Sequence, residues 1–165
     1  MNTIITAATL FTMFFNSAKT TIAGSDYYYN ADIHDNQVCM LDVYQQDDFK
    51  MLSRKMEYRF TYDDQNRLVS KEAYKWNPLM MEWSHYYRMN FSYTDDGYAI
   101  EVSDWNYMTK TYDTVKEKSV YHIEGDDIAS VSNYKWNSRH NDFVFTGTIK
   151  NQDSALLAKI LQMQG

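Results

Sequence analysis

The chain contains few of the residues that would point to a specialised fold or chemistry. Its 165 residues include one Cys, one Pro and five Gly. A single Cys excludes a disulfide scaffold and a thiolate zinc cluster. Basic residues are outnumbered, 16 to 22, by acidic ones, and the net charge of -6 argues against a nucleic-acid partner. Aromatic residues are abundant, with 15 Tyr, 8 Phe and 4 Trp, and a chain of this length and composition is expected to fold.

Long hydrophobic runs are absent except at the N-terminus. Residues 4–15 form a 12-residue apolar run, whereas a membrane-spanning helix needs about 20 residues. The run matches the hydrophobic region of a secretory signal, and the small residues Ala18 and Ala23 follow it. We therefore expect residues 1–23 to be a signal peptide and the protein to be secreted or periplasmic, in the cell envelope. A buried first strand or helix is the alternative, and Cys39 lies too far past the run to carry a lipid.

Three of the four Trp residues are followed by Asn and recur with a period of about 30 residues. These are Trp76, Trp105 and Trp136, which lie 29 and 31 residues apart. An acidic pair precedes each of them, at Asp63-Asp64, Asp95-Asp96 and Asp126-Asp127. The repetition indicates one structural unit used several times.

Each repeat has the pattern of a β-hairpin. Before the first acidic pair, Met56, Tyr58, Phe60 and Tyr62 alternate with polar residues, which is typical of a strand with one apolar face. The acidic pairs are turn formers, and a second strand then leads to each Trp-Asn pair. Residues 24–150 are thus predicted to form an all-β antiparallel meander of tandem β-hairpins, with roughly eight strands. The tail, residues 151–165, is predicted to be a short helix, with a last strand as the alternative.

A single sheet with an aromatic face cannot leave that face in water. Strong curvature normally requires glycines or bulges, and the chain has only five glycines. We therefore expect a twisted open sheet that is partly covered by the tail or by a partner. Face-to-face pairing into a homodimer is one such arrangement.

The turn of residues 62–69 resembles the hairpin turn of the tyrosine–aspartate (YD) repeats of large bacterial surface and toxin-shell proteins. Those repeats place Gly where this chain has Asn66. The longer spacing and the Trp-Asn pairs are more similar to a family of small exported Bacteroidetes proteins of unknown function, in which a signal peptide precedes tandem Tyr- and Trp-rich hairpins. The resemblance implies the same fold and export, and it implies no activity.

The acidic turns are the first candidates for chemistry. Carboxylates and turn carbonyls suit calcium, but adjacent Asp pairs lack the regular spacing of a calcium loop, so solvated hairpin turns are the preferred interpretation. A glycan hydrolase would need two carboxylates about 5–10 Å apart across a cleft. Turns that recur along one sheet edge do not predict such a pair, and a hydrolase that uses Asp64 or Asp127 remains a remote alternative.

The other reactive residues form no recognisable set. The four His residues show no zinc-binding spacing, and Cys39 has no marked basic partner nearby in the sequence. No nucleophile motif is present. We therefore predict no catalytic residue, no metal site and no cofactor, and a protein that is not an enzyme.

The aromatic residues carry the main functional signal. Exposed Tyr and Trp on a rigid sheet can bind glycans or proteins with little loss of side-chain entropy. Trp76, Trp105 and Trp136, near strand ends beside Asn, are the predicted ligand-binding residues, while core packing in cross-strand ladders is the alternative. The sequence thus predicts an exported, non-enzymatic module that binds a surface protein or glycan. A structural module that assembles with itself through its aromatic face is the second hypothesis.

Overall fold

A computed structural model of the chain describes residues 26–125 and 127–150, and within these ranges all regular structure is β. The strands are β1 (Asp26–His34), β2 (Gln37–Gln46), β3 (Leu52–Tyr62), β4 (Leu68–Asn77), β5 (Glu82–Thr94), β6 (Gly97–Asn106), β7 (Thr111–Tyr112), β8 (Glu117–Glu124), β9 (Asp127–Asn137) and β10 (Asp142–Lys150). They form one antiparallel sheet in the order β1-β2-β3-β4-β5-β6-β8-β9-β10, with β7 paired to β6. The predicted all-β meander is therefore confirmed. The predicted signal peptide, residues 1–23, and the predicted helical tail, residues 151–165, lie outside the described residues.

The described strands number ten, whereas the repeat alone predicts about eight. The partner of the last residues of β6 is the two-residue strand β7, through Trp105↔Tyr112 and Asn106↔Thr111. The earlier part of β6 pairs instead with β8, from Gly97↔His122 to Val102↔Glu117. Residues 113–116 leave the ladder and separate β7 from β8, and β10 follows the last Trp-Asn pair, which accounts for the two additional strands.

The chain divides between Tyr87 and Arg88, inside β5, into two compact units. The described part of the first unit is residues 26–87. The described part of the second is residues 88–125 and 127–150. Each unit has its own buried side chains.

One face of the first unit carries most of its buried side chains, although Glu57 and Tyr74 are buried on the other. Leu41 of β2 lies opposite Tyr58 of β3, which lies opposite Ala73 of β4, and all three are buried. Apolar residues alternate with polar ones in β3 because side chains two residues apart share a face, and the apolar ones share the buried face, as the sequence predicts. Leu68, the first residue of β4, is fully buried beside Tyr62.

Lys71 is an unexpected member of this core. It lies opposite Phe60 in the ladder and is 4% exposed. Its Nζ stands 4.5 Å from the ring centroid of Tyr58 and 5.8 Å from that of Tyr87. Burial lowers the pKa of Lys71 from 10.5 to about 8, because a low-dielectric environment disfavours the charged amine.

The second unit is built around a row of three buried side chains. Tyr98 of β6 lies opposite Tyr121 of β8, which lies opposite Val131 of β9. The two Tyr rings stack with centroids 4.6 Å apart and planes 10° apart. Gly97, just before this row, must be glycine because a Cβ there would overlap the carbonyl oxygen of Tyr121.

The turns form as their residue types predict. Asp63 Oδ1 accepts hydrogen bonds from the backbone N–H groups of Gln65 and Arg67, both at 2.9 Å. Asn66 has a φ of 59°, the left-handed conformation that explains why Gly occupies this position in the YD turn. No helix in the described ranges is long and apolar enough to cross a bilayer.

Candidate functional site

The three predicted tryptophans each stand one residue before the end of a strand, and the following Asn closes the turn. Asn77 Oδ1 accepts from the backbone N–H groups of Leu79 and Met80 at 3.1 and 3.3 Å. Asn106 Oδ1 accepts in the same way from Met108 and Thr109 at 3.0 and 3.2 Å. The repeated Trp-Asn pair is therefore explained locally, because a short amide side chain can cap the turn that follows it.

The third copy varies this pattern. Asn137 Oδ1 accepts from the N–H of Arg139 at 3.0 Å, and the backbone oxygen of Asn137 accepts from His140 N–H at 3.2 Å. The fourth residue after each Asn has a positive φ in all three copies, namely Met81 (53°), Lys110 (55°) and Asn141 (52°). The three turns thus share one backbone design despite having different residues.

Each tryptophan packs edge-to-face against the aromatic residue seven positions later. Trp76 meets Trp83 at 5.0 Å and 71°, Trp105 meets Tyr112 at 5.0 Å and 75°, and Trp136 meets Phe143 at 5.2 Å and 73°. These geometries are in the favourable range for aromatic pairs. We call these three units the Trp-Asn hairpins, defined by residues 76–83, 105–112 and 136–143.

A cation from another strand lies on each aromatic pair. The Arg54 guanidinium is 4.8 Å from the ring centroid of Trp76, that of Arg88 is 4.4 Å from Tyr112, and Lys118 Nζ is 5.9 Å from Phe143. Arg88 Nε is also buried without a hydrogen-bond partner in the structure. Cation–aromatic contacts of this kind are favourable and order the rings.

The tryptophans themselves are half-buried. The three lie in separate hairpins, Trp76 in the first unit and Trp105 and Trp136 in the second. Their packing on an aromatic neighbour corresponds to the alternative interpretation of cross-strand ladders. Their part in ligand binding stays a prediction.

The most exposed apolar side chains lie instead at the hairpin tips. Leu79 is 93% exposed and Met108 is 96% exposed, and Met80, Met81 and Tyr107 are exposed beside them. The third Trp-Asn hairpin has a polar tip, with Ser138, Arg139 and His140. The sequence analysis did not predict these apolar tips. The sequence nevertheless contains the apolar runs Leu79-Met80-Met81 and Tyr107-Met108 shortly after the Asn of the first two Trp-Asn pairs.

A similar apolar tip joins β2 to β3. Phe49 is 86% exposed, and Met51 and Leu52 are exposed next to it. Asp47 Oδ1 accepts from the N–H groups of Phe49 and Met51 at 3.0 and 2.8 Å, and Lys50 has a φ of 62°. The apolar side chains are thus presented by a turn that is closed by its own hydrogen bonds.

In the first two acidic turns, one carboxylate serves as a structural cap. Arg67 binds Asp63 Oδ2 through Nη2 at 2.7 Å and through Nε at 2.8 Å, and this contact lowers the pKa of Asp63. Asp96 accepts from the Thr94 hydroxyl at 2.8 Å and lies 3.4 Å from His122 Nδ1. The hydrogen bond from Thr94, followed by that from His122, lowers the pKa of Asp96. Both carboxylates are therefore held ionised in positions that close turns.

The other candidates for chemistry stay apart in the described ranges. Cys39 contacts the backbone oxygen of Gln37 at 3.7 Å. His85 packs on Tyr74 with ring centroids 4.7 Å apart, and His34 binds Asp32 at 3.2 Å. Over residues 26–125 and 127–150, no three His, Cys, Asp or Glu side chains are grouped so that they could hold a metal ion.

Comparison with known proteins places the chain among proteins of the same fold. The family model of DUF3836, a family of unknown function, matches residues 1–123. A protein with unknown function from Bacteroides fragilis NCTC 9343 superposes with a TM-score of 0.68 at 22% identity, over 77% of this chain and 93% of its own. No curated protein matches the chain.

Two further solved structures carry the family name. A DUF3836 family protein from Parabacteroides distasonis ATCC 8503 has a TM-score of 0.56 at 20% identity, over 60% of this chain and 92% of its own. One from Bacteroides vulgatus ATCC 8482 has a TM-score of 0.50 at 26% identity, over 52% and 87%. The resemblance to a Bacteroidetes family of unknown function is thus confirmed, and the chain belongs to the DUF3836 family.

Proposed function

We propose that this chain is an exported, non-catalytic binding module of the cell envelope that attaches to an apolar partner surface through its hairpin tips. The observation that carries the proposal is the exposure of Leu79, Met108 and Phe49 on turns that are closed by side-chain caps. Large apolar side chains that protrude from ordered turns gain free energy when a partner removes them from water.

The apolar tips favour a surface protein over a glycan. Glycans stack on open aromatic faces, whereas Trp76, Tyr112 and Phe143 each have a cation over the ring. The tips offer Leu, Met and Phe, which a protein with an exposed apolar patch would cover. Non-polar contact at the tips therefore carries the proposed binding, and the tryptophans hold the tips in place.

The test compares the retention of the purified protein on washed cell-envelope fractions. We expect the double variant Leu79→Ser/Met80→Ser to lose at least tenfold in apparent affinity, because each side chain loses its apolar contact. The matched control is Arg139→Ser/His140→Ser, at the same turn positions of the third Trp-Asn hairpin, and it should bind like the unmodified protein. Equal retention of both variants would contradict the proposed function.

Export is tested separately by the mass of the protein recovered from fractionated cells. A chain that has lost about 23 N-terminal residues and is found outside the cytoplasm is the expected result. The intact chain in the cytoplasmic fraction would contradict export.

A further inference from the structure

We infer that β10 binds a second copy of this chain, by antiparallel pairing of the two β10 strands about a two-fold axis. The contact continues the sheet at its outer edge in the second unit. It therefore differs from face-to-face pairing, and it does not use the apolar hairpin tips of the proposed function. Three features of β10 carry the inference: an open backbone edge, a sequence that does not oppose pairing, and a bulge that selects one register.

The outer backbone edge of β10 is open in the described part of the chain. There β10 is the last strand in the order of the sheet, and it pairs with β9 alone. On the other side of β9, the N–H of Trp136 donates to the backbone oxygen of Lys116 at 2.8 Å. Backbone groups of an antiparallel strand point to its two neighbours in alternation, so every second residue of β9 faces β8 and the others face β10. By the register with β9, the residues of β10 whose N–H and C=O groups point outward are Phe143, Phe145, Thr148 and Lys150.

The sequence of β10 does not oppose pairing with another strand. Pro residues and charges within an edge strand prevent such pairing, and β10 has neither in its middle. The strand is nine residues long, and its two charges, Asp142 and Lys150, lie at opposite ends and have opposite signs. Val144 and Phe145 between them are 45% and 55% exposed. The edge strand of the first unit, β1, contains Asp32 within its length, so β10 is the edge that favours pairing.

The β-bulge of β10 selects one register for two copies. It lies at Thr146 and shifts the register with β9 by one residue, so the outward residues are odd-numbered before it and even-numbered after it. In an antiparallel pair, outward residues of one strand must meet outward residues of the other. One register engages all of them, with Phe143 opposite Lys150 and Phe145 opposite Thr148 on both sides of the axis. The axis places the two bulges beside each other, so the two strands bend together.

The side chains match in this register. Phe145 and Thr148 point to one face of the sheet, because they lie opposite residues 134 and 132 of β9. Val144 meets Ile149 on the other face, since these two lie opposite residues 135 and 131. Aromatic and β-branched pairs of this kind stabilise neighbouring strands, and no two charges of the same sign face each other. A second copy is the partner that fits, because the two-fold axis repeats each of these contacts.

The first experiment tests the register by cross-linking in the full chain, with Cys39→Ser to remove the native thiol. Val144→Cys protein is mixed with Ile149→Cys protein and oxidised mildly. We expect a disulfide-linked dimer, because the two positions form a pair without backbone hydrogen bonds, with Cα atoms about 4.5 Å apart. Either variant oxidised alone should stay a monomer on a non-reducing gel. The control mixture of Val144→Cys with Thr148→Cys, whose side chains point to opposite faces, should also stay monomeric.

The second experiment measures the mass in solution by sedimentation over a range of protein concentrations. We expect the unmodified protein to dimerise, and Thr148→Pro to weaken the dimer at least tenfold, because Pro removes an outward N–H and keeps the ladder with β9. Thr148→Ala is the matched control. It loses the contact of the hydroxyl with Ser132 Oγ at 3.0 Å but keeps the N–H, so it should dimerise like the unmodified protein.

Three results would overturn the inference. The first is an unmodified protein that stays monomeric at every concentration, which would leave the edge for a strand of another protein. The second is equal dimerisation of Thr148→Pro and Thr148→Ala, which would place the dimer contact elsewhere. The third is equal cross-linking of the Val144→Cys/Ile149→Cys mixture and the control mixture. Circular dichroism shows whether Thr148→Pro folds, and if it does not, the cross-linking experiment decides.

Discussion

Lys71 shows how a single residue can set the pH dependence of stability. Its amine is buried against the Tyr58 and Tyr87 rings, and its pKa is about 8 in the folded protein compared with 10.5 for an ordinary Lys. The unfolded chain therefore binds a proton that the folded protein has lost between these two pH values. The free energy of unfolding must rise as the pH increases from about 8 towards 10.5, by at most about 3 kcal/mol.

We predict that Lys71→Met raises the free energy of unfolding at pH 7 by about 1–3 kcal/mol and removes this rise. The reason is that Met fills similar space without a charge that must be desolvated. Urea unfolding at several pH values between 7 and 9.5 measures both effects. Lys75→Met, on the same face of β4 but exposed, is the matched control and should keep the pH dependence. A Lys71→Met protein that still gains stability over this range would contradict the assignment.

Tyrosines limit the range in which the effect of Lys71 can be observed. Burial raises the pKa of Tyr58, Tyr87 and Tyr98 above 10, so the unfolded chain releases these protons before the folded protein does. Above pH 10 their ionisation lowers the free energy of unfolding, which opposes the gain from Lys71. The comparison of variant and control therefore belongs below pH 10.

At the scale of the element, the Trp-Asn hairpin is the unit that the repeat encodes. The sequence alone predicted the hairpins and the all-β fold, because alternation and turn chemistry are local properties. The aromatic partner at the seventh position is also visible in the sequence, at Trp83, Tyr112 and Phe143. That this residue packs against the Trp follows only from the geometry of the turn.

The cations on these pairs could not be predicted from the repeat. Arg54, Arg88 and Lys118 come from β3, β5 and β8, and their placement depends on the register between strands. That register shifts at β-bulges, for example between Val43 and Tyr44. A shift of one residue moves a side chain to the other face of a sheet, so spacing along the chain does not determine which cation meets which ring.

A double-mutant cycle tests whether the edge-to-face pair acts as a unit. For Trp136→Leu and Phe143→Leu we predict a coupling free energy of about 0.5–1.5 kcal/mol, the usual contribution of an aromatic pair in this geometry. The measurement is chemical denaturation of the two single variants and the double variant. The control cycle joins Trp105→Leu with Phe143→Leu, whose strands lie about 14 Å apart by strand spacing, and it should be additive within about 0.5 kcal/mol. Equal coupling in the two cycles would show that ring contact is not the cause.

At the scale of the whole molecule, the described methionines divide into exposed ones at the hairpin tips and buried or half-buried ones in the sheet. The chain has ten of them. Met51, Met80, Met81 and Met108 are exposed at the hairpin tips, whereas Met89 is buried in the middle of β5. The composition gives no hint of this division, because the alternation that marks core residues in a strand does not apply to a turn. The tips thus had to be found in the structure.

We predict that mild peroxide oxidises the four tip methionines of the native protein at least tenfold faster than Met89, since the rate follows the access of the reagent to sulfur. Peptide mass spectrometry after brief oxidation measures each rate, and the same treatment in urea should make the rates equal.

Native mass spectrometry of the same sample tests the self-assembly hypothesis. A dimer that protects Met80 and Met108 would mean that a second copy covers the tips. If the protein is a monomer and these residues oxidise rapidly, they are accessible to the proposed partner. If the protein is a monomer and Met80 resists oxidation as strongly as Met89, Met80 is not exposed, which contradicts the binding proposal.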